Sequence, residues 1–263
     1  MRAAAGTGTI ATILGSGTCV PSLERSACSV LIQSGEERLL LDAGPGTMRR
    51  LLQAGVTIFE LTGIFFSHFH PDHSGELVPL LFSTKYPDGC LRKQPLHLVG
   101  GTGFFSFFKK LQAAYGEWIE LAPSLLDMRE VRVDGPDRFR LGTCVVQTAP
   151  TAHRPESVAY RLTDAVGKSV VYSGDTDFSE ELIALARGAD LLICESALPD
   201  ELKVAGHLTP SEAGEMAARA GVGMLVLTHL YPECEQADLV GQCRRTFNGR
   251  VVVAKDLMRF SLG

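Results

Sequence analysis

The sequence predicts an α/β (α+β) protein in four layers, αββα, with two sheets packed face to face and helices outside. Three observations predict it. Strand-like runs cluster in both halves of the chain, and each half also carries helical segments. No low-complexity linker and no fixed-period repeat separates the halves, so residues 1–263 read as one domain. The composition, 45% hydrophobic and 21% charged, can fill one large core without disulfide staples.

The elements follow in order. Residues 9–14 read as a strand that ends in the turn Gly15-Ser16-Gly17. Residues 28–33 and 38–42 read as a hairpin across the polar Ser34-Gly35-Glu36-Glu37. Gly44-Pro45-Gly46-Thr47 opens a helix to about residue 54, and residues 63–67 form a short apolar strand. A histidine-rich loop leads into a helix from about 75 to 83. The stretch 86–123 is the least regular, with a strand at 96–99 and a helix at 103–114. Strands are expected at 128–133, 139–148, 157–162 and 169–173. The chain then alternates: helix 180–186, strand 190–195, helix 210–220, strand 224–228, helix 236–247, strand 251–254.

Charge and cysteine usage narrow the class. A net charge of −5 and a pI near 5.8 argue against a general nucleic-acid binder. The basic pairs Arg49/Arg50, Lys109/Lys110 and Arg244/Arg245 read as solvated helix faces. Seven cysteines (Cys19, Cys28, Cys90, Cys144, Cys194, Cys234, Cys243) contain no Cys-x-x-Cys and read as reduced thiols of a cytoplasmic protein. No apolar run is long enough to cross a membrane. Residues 1–5 are followed by Gly6-Thr7-Gly8-Thr9, which breaks any signal-peptide core.

The strongest chemical signal is Ser67-His68-Phe69-His70-Pro71-Asp72-His73-Ser74-Gly75, with four metal-capable side chains in six positions. On extended backbone His68 and His70 point the same way, whereas Asp72 and His73 follow where the chain turns. One His pair can serve one metal and the Asp/His pair a second. Imidazole with carboxylate suits zinc, manganese or iron. Further ligands stand at the ends of predicted strands: His153, Asp175 after Ser173-Gly174, and His229 after Thr228.

Taken together, the chain resembles the metallo-β-lactamase superfamily, and within it the ribonuclease Z-like branch. The matching motifs are Leu14-Gly15-Ser16-Gly17, Leu41-Asp42-Ala43-Gly44, the His68–His73 cluster, His153, Ser173-Gly174-Asp175-Thr176, Gly206-His207-Leu208-Thr209 and Thr228-His229. The resemblance implies two divalent ions, zinc in the first instance. His68, His70 and His153 would hold one, and Asp72, His73 and His229 the other. Asp175 would bridge them with a water or hydroxide. Asp42 would hydrogen-bond near the ligand loop without touching metal; capping the Gly44–Thr47 turn is a compatible role. His207 would assist cleavage by protonating the leaving oxygen, and Glu195 would orient it. Thr209-Pro210-Ser211-Glu212 reads as an N-cap, a first-turn proline and a capping box that hold His207 in place. The candidate catalytic residues are Asp72, Asp175 and His207.

Such a centre generates hydroxide at neutral pH. Two divalent ions against Asp72, Asp175 and hydroxide leave about one positive charge, which attracts a monoanionic phosphodiester more than a neutral ester. The expected activity is therefore a phosphodiesterase acting on a small or short-nucleotide diester. A carbonyl hydrolase (lactonase, thioesterase or β-lactamase-like) and a transfer-RNA 3′ endonuclease are the alternatives. Ribonuclease Z proper inserts a long RNA-gripping arm between the ligands matching His153 and Asp175, which here lie only 22 positions apart. Long RNA is accordingly the lesser expectation. The aromatic stretch with Phe104, Phe105, Phe107, Phe108 and Tyr115 reads as core, with a cleft wall or a homodimer face as alternatives.

Overall fold

The computed structural model describes residues 8–85 and 92–263. The expectations for residues 1–5 and for Cys90 fall outside them. In chain order the first half comprises β1 (Thr9–Gly15), β2 (Ser29–Ser34), β3 (Glu37–Leu41), α1 (Thr47–Gln53), β4 (Gly63–Phe66), α2 (Pro71–Ser74), α3 (Leu77–Ser83), β5 (Leu96–Gly101), α4 (Phe104–Tyr115) and β6 (Leu126–Val131). The second half comprises β7 (Asp137–Leu141), β8 (Cys144–Pro150), β9 (Val158–Thr163), β10 (Ser169–Tyr172), α5 (Glu180–Ala186), β11 (Leu191–Glu195), α6 (Pro210–Ala220), β12 (Met224–Thr228), α7 (Leu239–Cys243), β13 (Arg250–Val253) and β14 (Arg259–Leu262).

Two mixed sheets result, ordered β14-β1-β2-β3-β4-β5-β6 and β13-β12-β11-β10-β9-β8-β7. Strands β3 to β6 run parallel, as do β10 to β13. The central strands β4, β10 and β11 are buried along their whole length, as strands covered on both faces must be. Edge strands β6 and β7 instead alternate half-buried and exposed residues, and their charged side chains discourage further pairing. One apolar cluster between the sheets joins Ile13, Val30 and Phe65 to Tyr160, Tyr172 and Val226. A second packs α5, α6 and α7 on the outer face of one sheet, and a third packs α1, α3 and α4 on the other. The four-layer αββα expectation is met.

Several local expectations are corrected. Residues 139–148 form not one strand but the hairpin β7–β8, because the chain reverses at Gly142, whose φ is +54°. The helix expected from about 75 is α3, which starts at Leu77, and a separate short helix precedes it: Asp72 and His73 lie on α2, started by Pro71 at its first turn. Residues 236–247 keep only a short α helix, capped by Asp238 accepting from Gly241 N at 2.8 Å. Strand β14, not anticipated, pairs antiparallel with β1.

No helix among the described residues is long and apolar enough to cross a membrane. The aromatic stretch divides: Phe104 and Phe108 are core, whereas Phe105, Tyr115 and Trp118 are about half exposed.

Candidate metal centre

The parallel strands end together. Asp42 follows β3, Ser67 and His68 follow β4, Asp175 follows β10, Glu195 ends β11 and His229 follows β12. Ligands in open α/β sheets collect beyond the carboxyl ends of strands, and the chemistry-bearing residues here do the same.

Asp175 is the centre of the cluster, 3% exposed. Its Oδ2 lies 3.6 Å from His68 Nε2 and 3.8 Å from His153 Nε2. Its Oδ1 lies 3.2 Å from His73 Nε2 and 3.3 Å from His229 Nε2. Asp72 Oδ2 stands 3.7 Å from each of those last two nitrogens. His70 Nδ1 is 3.4 Å from His153 Nε2. One carboxylate thus faces two separate groups of imidazoles, and all seven expected ligands are brought together.

The turn that delivers Asp175 depends on Gly174. Its φ is +57°, and a Cβ there would lie 2.4 Å from Ser67 Cβ. Gly174→Ala is therefore expected to lower Tm by about 5 °C or more, the cost of overpacking and a left-handed backbone. Differential scanning calorimetry reads this, and an unchanged Tm contradicts it.

Hydrogen bonds fix which nitrogen of three of these rings faces Asp175. Asp42, fully buried, accepts from Ser67 N, Ser67 Oγ, Tyr172 OH and His73 Nδ1, all at 2.7 Å. Since Ser67 Oγ donates to Asp42, it accepts from His68 Nδ1 at 3.0 Å. His153 Nδ1 donates to the Gly206 carbonyl at 2.9 Å. His68, His73 and His153 therefore all turn Nε2 toward Asp175, as imidazoles oriented for a metal do. Asp42 does not cap α1. That role falls to Glu76, whose carboxylate accepts from Gly46 N and Met48 N, both at 2.6 Å.

Asp42 and His229 both hold φ at +58° without being glycine. Asp and His tolerate this region better than most residues, yet it costs of order 1–3 kcal/mol, and such strain concentrates at functional sites.

The buried nitrogens fit a cation. His68 Nε2, His73 Nε2, His229 Nε2 and Asp175 Oδ1 are all buried without a hydrogen bond, an arrangement costly for polar atoms that nothing else satisfies. Burial pulls the His68 imidazole down to about 2, so this ring is neutral and ready to donate its lone pair. His73 goes the other way. Burial opposes its charge, but Asp175 and Asp42 outweigh burial and raise it well above the usual value. A cation at His73 Nε2 displaces that proton. His68, His70, His153 and Asp175 present ligand atoms within 4.8 Å of one another, as do Asp175, His207 and His229.

His207 stands beside this cluster, its ring 4.9 Å from that of His153 and 5.4 Å from that of His229. Its Nδ1 donates to the buried Glu195, 3.1 Å from Oε1. Glu195 also accepts from Thr176 N at 2.6 Å and Leu208 N at 3.1 Å. Burial lowers the His207 pKa, but the Glu195 hydrogen bond and charge, helped by Asp175, outweigh it and raise the imidazole above its ordinary value. Burial likewise pushes Glu195 up. The capping box at α6 forms as expected, with Pro210 in the first turn.

Other residues of the site were not anticipated. Cys28 Sγ lies with ligand atoms of His73 and His229, all within 4.8 Å, and donates to the Gly17 carbonyl at 3.3 Å. Its sequence context, opening an apolar strand, gave no sign of this. Tyr172 lies in an apolar strand run with nothing local to mark its hydroxyl, and Gly206 stands out in the sequence only as part of the motif around His207. A cleft of about 500 Å³ adjoins Asp72, lined by Thr18, Cys19, Pro21, Arg25, Pro45 and Pro71.

Comparison with known proteins shows the family and the fold. Residues 37–230 match the family described as the beta-lactamase superfamily domain. The chain is 32% identical over 272 residues to ribonuclease Z of Mycobacterium sp. (strain KMS), covering 94% of each chain. Among solved structures it is similar to the metallo-β-lactamase fold protein YhfI of Bacillus subtilis (TM-score 0.83, 25% identity, 98% of this chain and 100% of that one). It is also similar to the short form of human tRNase Z (TM-score 0.76, 26% identity, 97% of this chain and 99% of that one).

Proposed function

The chain belongs to the metallo-β-lactamase superfamily, in its ribonuclease Z-like branch, and from that premise we propose that it is a metal-dependent phosphodiesterase whose substrate is a small or short-nucleotide diester. The observation that carries this reading is Asp175, whose two oxygens face two separate groups of imidazole nitrogens, three of the four buried without a hydrogen bond. His68, His70 and His153 would hold one divalent ion, Asp72, His73 and His229 a second, and Asp175 would touch both. The imidazole-rich donor set suits zinc. When bound, such ions supply Lewis acidity and hydroxide at neutral pH.

The chain's own residues do the rest. Asp42 and Ser67 keep His68 and His73 turned inward. Glu195 holds His207 by Nδ1, which leaves Nε2 to give a proton to the departing oxygen. Removing such a donor costs ~10²-fold or more when the leaving group is a poor one. Where an RNA-gripping arm would sit, residues 154–174 hold a short loop, β9, a turn and β10, which supports a small substrate. The six described cysteines are all free, as suits the cytoplasm. A homodimer through the exposed Tyr115 and Trp118 is part of the same proposal.

A second reading, a transfer-RNA 3′ endonuclease, is favoured by one observation: the mycobacterial relative named ribonuclease Z matches over 94% of both chains. A substrate panel separates the two. Metal-loaded protein is expected to hydrolyse bis(p-nitrophenyl) phosphate and a cyclic nucleotide and to leave precursor transfer RNA intact. Cleavage of the precursor with inert small diesters would establish the second reading instead. Turnover of a neutral ester with no diester turned over would sink both.

A further inference from the structure

His207 sits on a segment with little regular structure of its own. Between β11 and α6 there is only a 3-10 turn at Asp200–Leu202, and residues 203–205 are exposed. Two of the site's contacts nevertheless depend on this segment: the Gly206 carbonyl that accepts from His153 and the His207 ring held by Glu195. Something must fix the main chain here, because a side chain is only as well placed as its backbone.

Lys203 does so from the solvent side. Its Nζ donates to Asp177 Oδ1, Glu212 Oε2 and the His207 carbonyl, each at 2.6 Å. An ammonium has three donors, and all three are used. The partners belong to three different parts of the site. Asp177 lies two residues after Asp175, and its Oδ2 accepts from Gly206 N at 2.8 Å. Glu212 lies in the first turn of α6 and accepts from Thr209 N at 2.9 Å. The third partner is His207 itself. Lysines on a surface are ordinarily solvated and mobile; this one closes the loop 203–207 onto the Asp175 turn and the α6 start at once.

We propose that Lys203 is a positioning residue: it fixes the main chain of His207 so that the ring stays on Glu195 and over the metal centre. The proposal rests on the reading of His207 as the proton donor to the leaving group. Exposed ion pairs add little to stability, whereas a misplacement of about 1 Å costs up to ~10²-fold in rate. Lys203 should therefore show in kinetics and not in Tm.

The test uses metal-loaded wild type, Lys203→Met, Lys203→Arg and His207→Ala with two phosphodiesters. One releases p-nitrophenolate, which departs without a proton; the other releases an alkoxide, which needs one. Lys203→Met is expected to slow the alkoxide diester ~10-fold and His207→Ala ~100-fold, with the p-nitrophenyl diester within about 3-fold of wild type for both. Two metal equivalents, KM and Tm should be unchanged in Lys203→Met. If that variant does not fold, Lys203→Arg is read the same way: it keeps the charge, but its planar fork cannot aim one donor at each of three acceptors. Equal slowing of both diesters, or of neither, overturns the proposal. If His207→Ala discriminates between the diesters and the Lys203 variants do not, the proposal fails alone. If His207→Ala does not discriminate either, the reading of His207 fails with it.

Discussion

Asp175→Ala is expected to lower phosphodiester kcat/KM by ~10³-fold or more, since metal polarisation supplies several kcal/mol and each 1.36 kcal/mol is a factor of ten. Among the described residues no other carboxylate faces both groups of imidazoles, with Oδ2 toward His68 and His153 and Oδ1 toward His73 and His229. Its removal should also leave less than two metal equivalents bound. Steady-state kinetics with elemental analysis checks this. Wild-type turnover in the variant would show that Asp175 is not at the reacting centre.

The second large effect concerns Asp42, which is proposed to support the ligands without touching metal. Its buried carboxylate accepts four hydrogen bonds. Asp42→Ala would strand Ser67 N, Ser67 Oγ, Tyr172 OH and His73 Nδ1 without an acceptor, at about 3–5 kcal/mol in total. Asp42→Asn separates the two roles of the residue. Asparagine tolerates the positive φ and fills the same volume, but its NH₂ faces donors instead of accepting from them. Metal affinity should fall about 10–100-fold as His73 loses its support. Urea denaturation and metal titration read the two effects separately. An Asp42→Asn protein with wild-type affinity would show that the hydrogen bond to His73 Nδ1 is idle.

Much of the site was legible because its chemistry is written in residue type. Four of the seven expected ligands fall between positions 68 and 73, and the other three stand where apolar strands stop. The α6 start was equally plain, since Thr209, Pro210 and Glu212 are the residues a capped helix needs. What sequence could not give was contact between distant positions. Tyr172 reaches Asp42 across 130 positions, and a tyrosine in an apolar run looks like core until its hydroxyl finds a partner. Cys28, Lys203 and Gly206 are similar cases, unremarkable locally and placed only by the tertiary fold. Strand β14 was missed because four residues with two buried give too short an alternation to stand out. The β7–β8 turn carries only the weaker hairpin signal, a glycine at the first of its two central positions (Gly142-Thr143) and not an Asn-Gly or Asp-Gly pair, and the strand-forming residues on both sides hide it in one run.

Phosphodiester hydrolysis by this protein is proposed to require ions held around Asp175. The most direct test strips the protein with a chelator and titrates zinc back while following both bound metal and hydrolysis of bis(p-nitrophenyl) phosphate. The stripped protein is expected to be inert, activity to rise to a plateau at two equivalents, and Asp175→Ala not to recover. Full turnover by the stripped protein, or two ions bound with no diester hydrolysed, would contradict the proposal.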